Sequence, residues 1–200
     1  LLQYACAVEE VAPKDKEDAL VVIARLQGKK IPTPQQDTEA AFINKEFPSL
    51  SLSPIVSDPA LLNALDKRIE EIKHSLLRAP LATIFLCGST LEGLLLDTGI
   101  ANIQHFNTAK AAPCHKETGK VLQLHEWSLA ALIDVAHELG MLSLDIKKHG
   151  HSLRDFRNYI HPRQQIASKF SPDAHTAKIS WQVLQAAIAD LSKNRNTQGR

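Results

Sequence analysis

The sequence predicts an all-α protein, a bundle of four to five helices over residues 58–193 with a small helical segment before it. Three observations point there. Hydrophobic residues make up 44% of the chain but aromatics only 5%, a balance that suits helices packed through aliphatic ridges better than a β-sandwich. Apolar residues recur at spacings of three and four along most of the chain, and no stretch reads as a convincing strand pair or internal repeat. At 200 residues with 22% charged, the chain is long enough for one core plus a small appended unit and too apolar for wholesale disorder.

Residues 1–57 read as short helices and a linker, the tail of a preceding domain. Ala19, Val22, Ile23 and Leu26 repeat at helical spacing before Gly28 and Pro32 end the run, and Thr38 to Phe47 predicts a second short helix halted by Pro48. Ser49 to Pro59 is rich in Ser and Pro and reads as the linker. Asp58-Pro59 then supplies an N-cap and a first-turn proline for an amphipathic helix. Its apolar side carries Leu61, Leu62, Leu65, Ile69, Ile72, Leu76 and Leu77, and its charged side Lys67, Arg68, Glu70, Glu71 and Lys73.

Pro80 marks a break. Leu81 to Leu96 is apolar on nearly every side, so it belongs at the centre of the core, with Gly88, Ser89 and Gly93 allowing a neighbouring helix close. Thr98 to Glu126 reads as a long mixed connection. Ser128 caps the next helix, with Leu129, Leu132, Ala136 and Leu139 on one face and Gly140 closing it. A further helix runs through Ile146, Gly150, Leu153, Phe156 or Arg157, and Ile160. Ser171-Pro172 opens the last, carrying Ile179, Val183, Leu184, Ala187 and Leu191, and residues 194–200 read as a disordered tail.

Charge is uneven. Residues 141–200 hold ten Lys and Arg against four Asp and Glu, a net of +6, whereas residues 1–140 carry a net of −5. A basic C-terminal portion suits a polyanion such as RNA, and on charge alone suits a lysine-decorated surface with no partner better. No apolar run reaches the roughly 18 residues needed to cross a bilayer, so no membrane association is expected. Three widely spaced cysteines, Cys6, Cys87 and Cys114, form neither a disulfide framework nor a CxxC motif, which points to a reducing, cytoplasmic setting. Met141 is the sole methionine, so the chain reads as a fragment or a processed product.

The densest chemistry lies in Arg154-Asp155-Phe156-Arg157-Asn158-Tyr159-Ile160-His161-Pro162. On a continuous helix, Arg154, Asn158 and His161 share one face at i, i+4 and i+7, while Leu153, Phe156 and Ile160 anchor the other. Pro162 is expected to stop the helix and leave His161 at its C-terminus, where the macrodipole favours a cationic ring. These residue types suit RNA cleavage by internal transesterification. Histidine serves as base or acid near neutral pH, and arginine binds phosphate oxygens and the charge developing on them. Asp155 or Asn158 orients a partner by hydrogen bonding, and the route needs no metal or other cofactor. Arginines and a histidine here also suit a structural role, pairing with Glu92 or capping carbonyls.

Residues 59–193 resemble the HEPN superfamily of all-α domains found in prokaryotic defence and toxin systems. The resemblance rests on Gly88-Ser89-Thr90-Leu91-Glu92-Gly93-Leu94-Leu95-Leu96, on Glu126-Trp127-Ser128-Leu129, and on Leu153 to Pro162. The family motif is an arginine followed by a polar residue, then a histidine after four to six intervening residues. Arg154 with Asp155 and His161 meets it with six between. The arginine–asparagine pair of many members stands instead at Arg157-Asn158, with three residues before His161; Arg154 is preferred on spacing and Arg157 kept as a phosphate contact. The resemblance implies a HEPN-like bundle acting as a metal-independent endoribonuclease, a homodimer in which two motifs meet across one RNA-binding cleft. It implies catalytic Arg154 and His161, supporting Asp155, Asn158 and Glu92, and RNA contacts from Arg157 and Arg163, with an antitoxin or an upstream sensor domain as a further partner. Members that bind nucleic acid or a protein without cutting imply the alternative, a module regulating an attached domain.

Other candidates are weaker. Cys114-His115 with His105 and His125 matches no common zinc spacing. His149 and His151 flank Gly150 just upstream of the motif, a position from which either could touch substrate, though they read more readily as surface histidines with no role. Ser89 lacks the strand–turn–helix setting of a hydrolase nucleophile.

Overall fold

A computed structural model of the chain describes residues 47, 50–158, 161–169 and 171–198, with side chains given as far as 156 and, in the last segment, as far as 194. Seven α-helices and one 3-10 turn are found among the described residues, with a single isolated β-bridge and no strand. Five helices build the bundle: α1 (Pro59–Ser75), α2 (Pro80–Ala101), α4 (Leu129–Glu138), α5 (Leu144–Asn158) and α7 (Ala174–Gln198). Two short ones, α3 (Ile103–Thr108) and α6 (Pro162–Ser168), sit in the connections. The all-α bundle that composition and periodicity predict is the fold observed.

Helix α2 is the axis. Ile84, Cys87, Leu91, Leu94 and Leu95 are fully buried, and α1, α4, α5 and α7 all pack against it. It is long and apolar enough to cross a membrane by length and composition, contrary to the expectation from the broken Leu81–Leu96 run, because it extends past Gly93 to Ala101. In this fold its apolar surface is the centre of a helical core. Close approach comes at Gly99, where an added Cβ would lie 2.9 Å from Leu124 Cδ2 and 3.1 Å from the Phe106 ring. At Gly93 the nearest atom, Leu65 Cδ2, would be an ordinary 3.5 Å away.

Local chemistry sets the other helix ends. The Asp58 carboxylate accepts the Ala60 amide at 2.8 Å ahead of α1, and Ser128 Oγ accepts the Ala131 amide ahead of α4. Gly140 takes φ +71° after α4, a left-handed conformation that costs glycine little. Asp173, not Ser171-Pro172, caps α7, its Oδ1 accepting the Thr176 amide at 2.8 Å.

Three stretches depart from the sequence reading. The linker is part of the core in its middle, for Leu52, Ile55 and Val56 are each no more than 3% exposed. Apolar burial there outweighs a Ser/Pro composition that otherwise suits solvent. The long connection is structured: α2 continues to Ala101, α3 follows, Cys114 and Val121 form an antiparallel bridge, and Leu124–Glu126 makes a 3-10 turn. Both carboxylate oxygens of Glu138 tie it down, accepting the Lys110 and Ala111 amides at 2.7 and 2.8 Å. Trp127 stacks on Phe106 and donates its indole N–H to Leu122 O. Finally, α7 runs to Gln198 rather than ending at a disordered 194–200 tail. Asn194 fastens it there, donating to Met141 O and Asp190 O, each at 3.1 Å. The two short helices expected before Pro48 lie outside the described residues except at Phe47, which is not helical.

Candidate nucleic-acid site

Helix α5 carries the site, and its burial pattern sets its orientation. Ile146 and Leu153 are 2% and 1% exposed, Gly150 is buried against Ile133, and Phe156 packs on the core. These positions, spaced by three and four, form the inner stripe. Lys147, His151 and Arg154 therefore line a second stripe at i, i+4 and i+7, each side chain about one-third exposed. Arg154 is directed outward, as its sequence context implies, and Asp155 binds it through both Nε, at 2.9 Å, and Nη2.

His161 departs from expectation. Helix α5 is described as far as Asn158, and Pro162 is the first residue of α6, so Pro162 opens a helix. His161 adopts extended φ/ψ of −79° and 116° as the residue before α6, and its carbonyl accepts the Gln164 and Gln165 amides. It is exposed and lies off the Arg154 helix. The i, i+7 relation to Arg154 and the helix-dipole argument for a cationic ring both fall away. The physical reason is that proline's fixed φ and missing N–H fit a helix's first turn as well as they break a helix interior.

The remaining candidates lie on α2, α5 and α6. Arg163 is exposed in the first turn of α6, and Glu92 is half-buried on α2, which packs against α5. The side chains of Arg157 and Asn158, and Tyr159 and Ile160 entirely, lie outside the described residues, so the choice between the two arginines rests on spacing.

A cluster that sequence reading passed over joins α4 to α5. Asp134 Oδ1 accepts a hydrogen bond from Lys147 Nζ at 2.9 Å and lies 3.1 Å from His151 Nε2. Burial works against the Asp134 charge, but the hydrogen bonds from Lys147 and His151 outweigh it and hold the carboxyl below the usual range. The signal was partly present in the Lys147–His151 spacing of four. The acceptor on another helix was not readable.

Among the described residues, no group of three or more His, Cys, Asp or Glu side chains is placed to hold a metal ion. Cys114 is exposed in the bridged connection, and Cys87 is buried, which pushes its thiol pKa up. No family model, curated protein or solved structure matches the chain.

Proposed function

We propose that this chain is a metal-independent endoribonuclease of a prokaryotic defence or toxin system, cleaving RNA by 2′-OH transesterification with Arg154 and His161 as its catalytic pair. The observation that carries the reading is Arg154 held outward on a helix anchored by Leu153 and Phe156, followed within seven residues by an exposed His161. In this reading Arg154 binds the phosphate and neutralises charge as it develops, and His161 transfers a proton. Asp155, already on Arg154, sets its orientation. Arg157 and Arg163 contact the RNA backbone, and Asn158 and Glu92 support the pair. The family resemblance supports a cytoplasmic homodimer, two copies completing one cleft, controlled by an antitoxin or an upstream sensor domain.

The alternative is a non-catalytic module that binds nucleic acid or a protein and regulates an attached domain. It is favoured by the two-point hold of Asp155 on Arg154, an ion pair complete without a ligand. Incubation of pure chain with mixed RNAs in excess chelator separates the two. The nuclease reading expects cutting that falls at least about 100-fold in Arg154→Ala and His161→Ala, the range for loss of proton transfer or of charge stabilisation. Intact RNA, or equal cutting by the variants, overturns it.

A further inference from the structure

The transesterification needs both a base for the 2′-OH and an acid for the leaving 5′-oxygen, and besides the motif's His161 each copy carries a second histidine on the same helix as Arg154. His151 stands one turn before Arg154 on the same stripe of α5, with neighbouring Cβ atoms about 5–6 Å apart at that spacing. It is joined to α4 through Asp134. An ionised carboxylate only accepts, so the ring nitrogen facing Asp134 must carry the hydrogen. In the neutral ring, Nδ1 then holds the lone pair, and 29% of the side chain reaches solvent. Lys147 shares the same Asp134 oxygen and braces the carboxylate from one turn further back. A histidine with its tautomer set by a fixed carboxylate, beside a phosphate-binding arginine, has the arrangement a general base requires.

We infer that His151 is a second catalytic histidine, the general base of the cleavage, with Asp134 as its positioning residue and His161 as the acid. The inference rests on the nuclease reading and assigns its division of labour. Neutral His151 takes the 2′-OH proton on Nδ1 as the 2′-oxygen bonds to phosphorus. The P–O5′ bond breaks, and the departing oxygen takes a proton from the His161 imidazolium. The products are a 2′,3′-cyclic phosphate and a free 5′-OH, and solvent exchange restores both rings.

The test measures cleavage by the full chain of an ordinary RNA oligonucleotide and of one whose scissile 5′-oxygen is replaced by sulfur, a leaving group that needs no acid. His151→Ala is expected to lose about 100-fold or more on both substrates. His161→Ala is expected to lose as much on the oxygen substrate and to recover on the sulfur one, while His149→Ala stays near wild type. Asp134→Asn should lower the rate and release the His151 tautomer, read from ¹⁵N chemical shifts of the imidazole, where wild type shows hydrogen on Nε2. Folding of His151→Ala is checked by its urea midpoint, with His151→Gln as a second variant. Wild-type cutting with full activity in both His151 variants overturns this inference and leaves the nuclease reading standing, and so does rescue of His151→Ala by sulfur. No cutting by wild type on either substrate overturns the nuclease reading itself and this inference with it.

Discussion

Replacing Leu153 and, separately, Arg154 with alanine tests the register of α5, on which every statement about the site depends. The two residues are adjacent, but Leu153 is 1% exposed and the Arg154 side chain 35%. Leu153→Ala removes three buried carbon atoms. At about 0.8 kcal/mol per methylene the transfer loss is roughly 2.4 kcal/mol, and the cavity left behind raises the cost to about 3–5 kcal/mol. Arg154→Ala loses a pair with Asp155 in which both partners are more than one-third exposed, worth at most about 1 kcal/mol after solvent screening. With a urea m-value of about 2 kcal/mol per molar, Leu153→Ala lowers the midpoint by roughly 1.5–2.5 M and Arg154→Ala by under about 0.5 M. Urea unfolding followed by circular dichroism reads both. Equal shifts, or a larger one for Arg154→Ala, would refute the assignment of inner and outer faces.

Three further outcomes are expected. Gly99→Ala should destabilise by about 1–2 kcal/mol, since its methyl meets the fully buried Phe106 ring and overpacking outweighs the helix-propensity gain of about 1 kcal/mol. Gly150→Ala comes tight only to the Cδ1 end of Ile133, at 3.2 Å, with its γ carbons at ordinary contact distance, and should be neutral or slightly stabilising; the reverse order in urea contradicts the packing. Asp134, Glu138 and Asp173 all have lowered pKa values: at Asp134 burial opposes the charge but the Lys147 and His151 bonds prevail, at Glu138 the Lys110 and Ala111 amides act, and at Asp173 the Thr176 amide. Their contribution is therefore complete above the unfolded carboxyl values near about pH 4 and is lost as pH falls through the lower folded ones. Urea midpoints between pH 7 and pH 3 should drop at the acid end, less steeply in Glu138→Gln, and an unchanged slope contradicts the anchor. Asn194→Ala should cost about 1 kcal/mol through its carbonyl contacts, measured the same way, and no cost would mean that α7 is not fastened at that point.

The bundle was legible because caps and periodicity agree. Asp58-Pro59, Pro80 and Ser128 each mark a helix start that the fold uses, and the apolar residues between them bury as their spacing requires. The placement of Arg154 was legible by the same logic: with Leu153 inside, Arg154 had to face outward. His161 was misplaced because a proline signals either the end of one helix or the start of another, and only tertiary packing chooses. Asp134 was invisible for a different reason. Its partnership with Lys147 and His151 is a contact between helices, and no local period encodes it. The Leu52–Val56 stretch was misread because serine and proline dominate the Ser49–Pro59 segment around it, although its three apolar residues bury completely enough to belong to the core.

The most direct test of the central claim is the chemistry of the product ends. RNA incubated with pure wild-type chain in excess chelator, followed by ³¹P NMR, should show the resonance of a 2′,3′-cyclic phosphate, absent from the Arg154→Ala and His161→Ala reactions. Intact RNA, fragments ending in 5′-phosphates, or a cyclic-phosphate signal of equal strength in the two variants would contradict the account.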